Sequence, residues 1–309
     1  MTKLYIVVPC YNEEEMLPIT APRLGEKLRA LAAAGKIAPE SRVLLVDDGS
    51  RDATWALIEH LHGQDERFCG VKLSRNRGHQ NALLAGLMTA KGRCDCAVSM
   101  DADLQDDVDA VDAMLEKFQA GCQVVYGVRS ARETDTAFKK GTAQGFYRLM
   151  GAMGGELVYD HADYRLLSDT ALEALSRYGE VNLFLRGIVP MLGYKTDVVY
   201  YERGERAAGE SKYPLKKMLA FAWEGITSLT TKPITILTWA GAVIAAAAVL
   251  ACLLLAVFRA LSDVGAVLCA VAFFGGLNLF ATGVVGQYVG KTYLETKRRP
   301  RYIIEKIIE

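Results

Sequence analysis

Short runs of apolar and β-branched residues recur through residues 1–130, and stretches with helical spacing follow several of them. The runs are LYIVVP (4–9), RVLLVDDG (42–49), GVKLSR (70–75), CAVSMDAD (96–103) and CQVVYGVR (122–129). DATWALIEHLH (52–62) and GHQNALLAGLMTAKG (78–92) repeat their apolar residues at the three- and four-residue spacing of a helix. Nearly apolar strands that alternate with helices are typical of an α/β fold, so we expect a mostly parallel sheet covered by helices on both faces.

Two later stretches, 233–258 and 264–290, contain no charged side chain. Each is longer than the about 20 residues that a membrane-crossing helix needs, whereas apolar runs of about 10–14 residues are more typical of buried core helices. Both stretches are therefore predicted to be transmembrane helices, joined by a short outside loop. Basic residues flank the pair: Lys212, Lys216, Lys217, Lys232, Lys291, Lys297, Arg298, Arg299 and Arg301. By the positive-inside rule, both ends of the pair lie in the cytosol.

The predicted organisation has four parts. Residues 1–212 form a cytosolic α/β domain, 213–232 an amphipathic interfacial helix, 233–290 the two spans, and 291–309 a basic cytosolic tail. The apolar run at the N-terminus is too short for a signal peptide, so we expect the α/β domain to stay in the cytosol. Another amphipathic stretch, 141–155, either lies in the membrane interface or packs on the sheet as an ordinary helix.

Charge and cysteine content exclude some classes of partner. The chain carries 36 Lys and Arg against 36 Asp and Glu, so its formal net charge is zero. Because there is no overall basic field, we do not expect nucleic acid as a partner. The seven cysteines fit a reducing compartment, and Cys94 with Cys96 lacks the second ligand pair of a zinc site.

Functional candidates follow three of the predicted strands, where each strand ends. They are Pro9, Tyr11, Asn12 and Glu13 after the first strand, Asp47 and Asp48 after the second, and Asp101 and Asp103 after the fourth. In open α/β sheets, ligands bind beyond the carboxyl ends of the strands. Carboxylates gathered there repel each other unless they hold a cation or accept hydrogen bonds. No GxGxxG or GxxxxGK[ST] motif is present, which leaves a nucleotide whose phosphates are held by a metal ion.

Five motifs in order carry a resemblance to a known family. They are VVPCYNEEEML (7–17), VLLVDDGSRDAT (43–54), LSRNRGHQNALLAGL (73–87), MDADLQD (100–106) and RAAGESKYPLKK (206–217). Together they resemble family 2 glycosyltransferases that act on polyprenyl phosphates, and the resemblance covers nearly the whole chain. It implies a GT-A fold, Rossmann-like with a mostly parallel sheet, followed by two C-terminal transmembrane helices. It also implies a divalent cation, Mg²⁺ or Mn²⁺.

The resemblance further implies inverting, metal-dependent transfer of a hexose from a nucleotide sugar to a polyprenyl phosphate, for cell-envelope glycosylation. A UDP-sugar is favoured as donor and a GDP-sugar stays open, while the bacterial members favour glucose over mannose and other sugars. The bacterial plasma membrane is the implied location, with the catalytic domain and both termini cytosolic. Relatives of this build can associate through their membrane segments, so a homo-oligomer stays an open alternative.

Site residues are carried over from the motifs as implications of the resemblance. Nucleotide-sugar contacts are assigned to Pro9, Tyr11, Glu13, Val46, Asp48, Asp101, Ala102 and Arg129. Metal binding is assigned to Asp101, Asp103 and Gln105, acceptor-phosphate binding to Arg206, Ser211 and Lys212, and catalytic roles to Asp163, Arg206 and Lys212.

The acidic segment suits a metal because Mg²⁺ takes one or two carboxylates plus phosphate oxygens and water. Asp101 and Asp103 point the same way if they lie on an extended strand. The alternative is that these acids favour the dipole of a helix that begins near Asp107. We expect both, with Asp106 or Asp107 as the cap and the other two as ligands.

Asp163 has two interpretations that the sequence leaves open. It is either a general base or a group that orients Arg165, the acceptor or a donor hydroxyl. The acceptor phosphate has a second pKa of about 6 and is already mostly ionised at neutral pH. Ala162 stands where relatives carry glycine, and Arg77 where they tend to carry phenylalanine. His79 opens a helix and is expected to be a structural or hydrogen-bonding group.

Arg206 and Lys212 lie in a stretch with Gly204 and Gly209, which reads as a loop able to close over phosphates. The alternative is a basic patch attracted to anionic lipids. Two other classes of protein fit the sequence less well. A processive polysaccharide synthase would carry more spans and a QxxRW motif that is absent, and a non-catalytic membrane scaffold would not need the acidic and basic motifs together.

Overall fold

The computed structural model describes residues 1–130, 161–202 and 264–309, with the isolated positions 234, 236, 239 and 243. Several predicted features lie outside these residues. They are the loop with Arg206, Ser211 and Lys212, the stretch 141–155, the interfacial helix 213–232 and nearly all of the first predicted span.

Eight strands and seven helices are described here. The strands are β1 (Leu4–Cys10), β2 (Arg42–Asp47), β3 (Phe68–Leu73), β4 (Cys96–Ser99), β5 (Val124–Arg129), β6 (His161–Ser168), β7 (Thr196–Tyr201) and β8 (Ile304–Ile308). The helices are α1 (Leu17–Ala33), α2 (Thr54–Gln64), α3 (His79–Ala90), α4 (Ala110–Gln119), α5 (Asp169–Ser176), α6 (Leu185–Met191) and α7 (Val264–Lys297). The five apolar runs of the sequence all form strands, β1 to β5.

The strands form one sheet in the order β7-β5-β6-β4-β1-β2-β3-β8. Strand β1 is parallel to β2 on one side and to β4 on the other, β2 is parallel to β3, and β5 is parallel to β7. Strand β6 runs antiparallel between β4 and β5. The predicted mostly parallel α/β sheet is confirmed, and strand β6 adds a reversed strand beside the centre.

Helices pack on both faces of the sheet, as predicted. On one face, Leu24 of α1 and Met114 of α4 belong to a fully buried core cluster. On the other, Leu84 of α3 and Leu172 of α5 belong to a second cluster. Helix α3 packs closely on strand β1 at Gly86, where an added Cβ would lie only 2.4 Å from Cγ1 of Val7.

The end of the chain returns to the sheet. Residues 291–309 were predicted to be a tail, but β8 pairs antiparallel with β3 and forms an edge of the sheet. Charged pairs accompany the strand pairing, with Lys72 Nζ 3.0 Å from Glu305 Oε1 and Lys306 Nζ 2.7 Å from Glu59 Oε1. Strand β8 thus covers the edge of β3, which would otherwise expose its unpaired backbone groups.

Across the three described ranges, no helix is both long enough and apolar enough to cross a membrane. The prediction of two transmembrane helices is therefore not supported by the described residues.

Candidate active site

The carboxyl ends of β1, β2 and β4 meet at one edge of the sheet. Because β1 lies between β2 and β4, the chain leaves it where the strand order switches, which is where α/β sheets bind ligands. Pro9 is paired in register with Val46, and Cys10 with Asp47. The residues predicted to contact a nucleotide sugar at the ends of β1 and β2 therefore come from neighbouring strand positions.

The loop after β1 is fastened to the loop after β2. The Asn12 amide donates to Ser50 Oγ over 3.0 Å, and Asn12 Oδ1 accepts from the Arg51 amide over 3.0 Å. The Glu13 amide donates to Thr54 Oγ1 over 2.9 Å. Tyr11, next to these ties, is 42% exposed. Its ring is therefore accessible at the rim of the cleft, compatible with the predicted contact to a nucleoside.

Asp48 organises the backbone before α3. Its Oδ1 accepts from the Arg77 amide over 2.7 Å and its Oδ2 from the Gly78 amide over 2.9 Å. Burial raises the pKa of Asp48, while these two N–H groups act in the opposite direction. The Val46 side chain lies in the core near Gly86. The structure thus puts the Val46 side chain away from the cleft and ties the Asp48 carboxylate to backbone.

The acidic segment lies in the turn after β4. The strand ends at Ser99, so the common direction expected for Asp101 and Asp103 on an extended strand does not apply. The turn is anchored to helix α1, because Thr20 Oγ1 donates to the Ala102 carbonyl over 2.6 Å. Ala102 is buried, whereas Asp101 and Asp103 are partly accessible. The two carboxylates predicted to bind a metal therefore stand at the surface of the cleft on an anchored backbone.

The acids that follow have other roles than the predicted cap. Helix α4 begins at Ala110 with Asp109 at its N-cap, and Asp109 makes no side-chain capping hydrogen bond. Asp107 Oδ1 accepts from the Asp109 amide over 2.9 Å. The cap position of the helix therefore falls at Asp109, later than the expected Asp106 or Asp107, while the Asp107 carboxylate caps the turn that leads into the helix. Gln105 lies in this turn, and its amide donates to Asp103 Oδ1 over 3.2 Å.

Asp106 is a buried acid held by side chains from strands β5 and β7. The Tyr201 hydroxyl donates to its Oδ1, and Arg129 Nη2 lies 3.4 Å from the same oxygen. Arg129 Nε also donates to the Tyr201 hydroxyl over 3.2 Å. Burial, followed by the Asp106 charge, raises the pKa of Tyr201 well above its ordinary value. Arg129, predicted to face the donor, is thereby fixed next to the acidic segment.

A second cluster lies across β4, on β6 and α6. Asp163 and Arg165 are two apart on β6 and point to the same face. Arg165 Nη2 lies 2.5 Å from Asp163 Oδ1, and Arg186 Nη2 lies 3.0 Å from Asp163 Oδ2. Burial acts against ionisation, but Arg186 and Arg165 together hold the pKa of Asp163 well below its usual range. An ionised carboxylate between two guanidinium groups orients them and is a poor proton acceptor.

Arg186 was not among the predicted site residues, because the segment NLFLRGIV carries no motif or periodic signal that singles it out. Its side chain is 32% exposed, in contrast to the buried Arg165. The first turn of α6 is held in place on both sides. The Leu185 amide donates to Gln80 Oε1 over 2.9 Å, and Arg165 Nη1 donates to the Leu185 carbonyl over 3.3 Å.

His79 lies between the two clusters. Its Nε2 is 3.5 Å from Asp101 Oδ1 and 3.7 Å from Asp163 Oδ2. Burial raises the pKa of Asp101 to about 6, with further contributions from neighbouring acids including Asp106, while His79 opposes the shift. The cleft thus presents acids on the β4 side and guanidinium groups on the β6 side, bridged by an imidazole.

The donor set fits a divalent metal that is shared with a phosphate ligand. Asp101 and Asp103 supply hard carboxylate oxygens, and the charges of the neighbouring acids Asp106 and Asp163 favour a cation beside Asp101. Within the described ranges, no set of three His, Cys, Asp or Glu side chains is arranged to hold a metal. Two carboxylates whose ion is completed by phosphate oxygens and water are the usual protein contribution to a Mg²⁺ site, and the residues present fit that arrangement.

Comparison with known proteins identifies the family. The family model described as glycosyl transferase family 2 matches residues 5–176. A Bacillus subtilis (strain 168) protein named uncharacterized glycosyltransferase YkoT is 48% identical over 306 residues, covering 98% of this chain and 91% of the relative. The chain belongs to glycosyl transferase family 2 and is a glycosyltransferase with a GT-A-like α/β fold, as the motifs predicted.

Another relative has a more specific name. The prophage bactoprenol glucosyl transferase homolog of Escherichia coli (strain K12) is 37% identical over 313 residues, covering 99% of each chain. Among solved structures, glucosyl-3-phosphoglycerate synthase from Mycobacterium tuberculosis, in complex with Mn²⁺, UDP and phosphoglyceric acid, aligns with a TM-score of 0.48 and 16% identity. That alignment covers 74% of this chain and 77% of the synthase.

Proposed function

We propose that the protein transfers a hexose, with glucose favoured, from a nucleotide sugar to a polyprenyl phosphate. The observation that carries this proposal is the cleft itself, in which His79 lies between Asp101 on one side and Asp163 with Arg186 on the other. Asp103 follows Asp101 in the same turn. A diphosphate with its metal suits the acidic side, and a second phosphate suits the basic side. The relative named a bactoprenol glucosyl transferase homolog supports a lipid acceptor and glucose.

On the donor side, the nucleoside binds near Tyr11 at the joined loops after β1 and β2. The diphosphate extends from there toward Asp101 and Asp103, which hold the divalent cation, Mg²⁺ or Mn²⁺. When bound, that cation neutralises the charge that develops on the departing diphosphate. Arg129, anchored to Asp106, adds a positive group on the same side.

On the acceptor side, the lipid phosphate binds to Arg186, whose guanidinium group is partly exposed while that of the neighbouring Arg165 is buried. Arg206, Ser211 and Lys212 complete the phosphate contacts in this proposal, delivered by the glycine-containing loop. Asp163 orients Arg186 and does not take a proton. The reaction needs no general base, because the acceptor phosphate is already ionised at neutral pH.

The chemical step is a single displacement at the anomeric carbon of the sugar. A bond forms between that carbon and a phosphate oxygen of the lipid, and the bond to the nucleoside diphosphate breaks. The electron pair of the broken bond leaves with the diphosphate. Because the acceptor attacks from the face opposite the leaving group, the configuration of the sugar is inverted.

We further propose that the chain is membrane-bound, since a polyprenyl phosphate cannot leave the bilayer. The uncharged stretches 233–258 and 264–290 support this proposal. Along α7, large apolar side chains are well exposed, among them Val267, Val271, Phe280 and Val289. The proposed location is the bacterial plasma membrane, with the α/β domain and both termini in the cytosol.

The test is a transfer assay on the purified full chain. It is incubated with undecaprenyl phosphate, Mg²⁺ or Mn²⁺ and a panel of labelled UDP- and GDP-sugars, and label extracted into organic solvent is counted. We expect transfer from one donor, abolished by EDTA and by Asp103→Asn. No transfer from any donor by folded protein would contradict the lipid-phosphate proposal, and transfer from GDP-mannose alone would replace glucose by mannose.

A further inference from the structure

The C-terminal end of α7 is joined to the loop between α5 and α6. Glu295 Oε2 accepts from the Val181 amide over 2.8 Å, and its Oε1 accepts from the Asn182 amide over 2.7 Å. Asn182 Nδ2 donates to the same Oε1 over 2.8 Å and lies 3.4 Å from the Lys291 carbonyl. A single carboxylate thus satisfies two consecutive backbone N–H groups of a loop that has no regular secondary structure.

The residue after α7 that continues this contact is Arg301. Its Nη1 donates to the carbonyls of Tyr178 and Glu180 over 3.1 and 3.3 Å. Glu295 and Arg301 therefore hold the same five-residue loop segment, 178–182, from the amide side and from the carbonyl side. Beyond Arg301 the chain enters β8 and is fixed to β3. The loop is attached to an element that is itself anchored at the sheet edge.

This loop leads within four residues to Arg186, on the basic side of the cleft. Asn182 is followed by Leu183 and Phe184, and then by Leu185 and Arg186 at the start of α6. The geometry of Arg186 relative to Asp163 therefore depends on where the loop enters the helix. The start of α6 is thus held from two directions, by the loop that Glu295 and Arg301 fasten and by Gln80 and Arg165 at Leu185.

We infer that Glu295 is a positioning residue for glycosyl transfer, which holds the loop 178–182 so that Arg186 meets Asp163 and the acceptor phosphate. The inference rests on the proposed function. It adds a link between the end of α7, which follows the uncharged stretch 264–290, and the acceptor side of the cleft. If α7 is seated in a membrane as proposed, the same contact sets the acceptor side at the membrane surface.

The test compares Glu295→Gln with Glu305→Gln. Both variants make the same chemical change in the C-terminal segment, but Glu305 lies on β8 and its one described ion pair is with Lys72, away from the loop. We expect Glu295→Gln to lower kcat roughly tenfold to a hundredfold, because small misplacement of a positioning group has effects of this order. The KM for the nucleotide sugar stays unchanged, since the donor side is untouched, and Glu305→Gln stays within about twofold of wild type.

A double-mutant comparison separates positioning from a general structural role. If Glu295 acts through Arg186, the variant that combines Glu295→Gln with Arg186→Lys is no slower than Arg186→Lys alone. Losses that multiply, or a Glu295→Gln variant as active as the Glu305→Gln control, would overturn the inference. A rise in the KM for the nucleotide sugar that accounts for the whole loss would overturn it as well.

Amide hydrogen exchange provides a readout that does not need turnover. In Glu295→Gln, we expect faster exchange at Val181 and Asn182 and also at Leu185, whose amide is bonded to Gln80. Faster exchange confined to the first two residues would show that the loop does not control the start of α6, and would overturn the inference. An inactive wild-type enzyme with the full exchange effect would contradict the proposed function and leave the mechanical link intact.

Discussion

Replacing Asp163 by asparagine removes the charge that two guanidinium groups share. Arg165 is 1% exposed and its Nη2 lies 2.5 Å from Asp163 Oδ1. Breaking a buried ion pair by removing one partner typically costs about 3–5 kcal/mol, because it leaves the other charge buried and uncompensated. Arg186 is 32% exposed, so solvent screens its pair with Asp163 and its share is not added to the loss. The expected loss in the free energy of unfolding is therefore about 3–5 kcal/mol.

The assay is thermal unfolding of the purified chain, in which a loss of this size lowers Tm by roughly 6–20 °C. The control is Asp103→Asn, which changes a partly accessible carboxylate and is expected to alter the free energy of unfolding by only about 0.5 kcal/mol. An Asp163→Asn variant that is as stable as wild type would refute the reasoning, because no buried charge would then have lost a partner it depends on.

Three further predictions concern the same cleft. The stabilisation from Asp163 is complete above the unfolded pKa of about 3.9, and it is lost as pH falls toward the depressed pKa of the folded state. The difference in Tm between wild type and Asp163→Asn should therefore shrink in acid. Gly49→Ala should destabilise the chain by about 1–3 kcal/mol in denaturant unfolding, because Gly49 has a φ of 66° and its Cβ would lie 2.5 Å from the Arg75 carbonyl carbon. Tyr201→Phe should lower the free energy of unfolding by about 1–3 kcal/mol in the same measurement, because it removes a hydrogen-bond donor from the buried Asp106. An unchanged denaturation midpoint would contradict the close backbone approach at Gly49 or the Tyr201–Asp106 hydrogen bond, respectively.

The half of the fold that is built from consecutive β and α segments could be predicted from the sequence. Strands β1 to β5 are nearly apolar runs, and their period and their flanking polar residues mark them directly. Strands β6 to β8 could not be found in this way, because their partners lie far away in the sequence. Strand β8 is an edge strand with two charged residues, Glu305 and Lys306, and resembles a solvated tail until its partner β3 is known.

The candidate site divides along the same line. Asp101, Asp103 and Tyr11 follow predicted strands, so the topology alone brings them to one edge of the sheet. Arg186 and Glu295 could not be predicted, because their neighbours come from other parts of the chain and neither lies in a motif. The start of α4 could not be predicted either, and the cap was expected too early, at Asp106 or Asp107. Where the helix begins depends on the turn held by Thr20 and on the contacts of Asp106 with Tyr201 and Arg129.

The central claim is that one hexose moves from a nucleotide to a lipid phosphate. The most direct measurement is the intact mass of the organic-soluble product after wild-type enzyme has acted on undecaprenyl phosphate and UDP-glucose, together with the amount of UDP released. We expect a product whose mass equals that of the lipid phosphate plus one hexose residue, with UDP released in equal amount. UDP release without a hexosyl lipid, or a product that carries a growing chain of sugars, would contradict it.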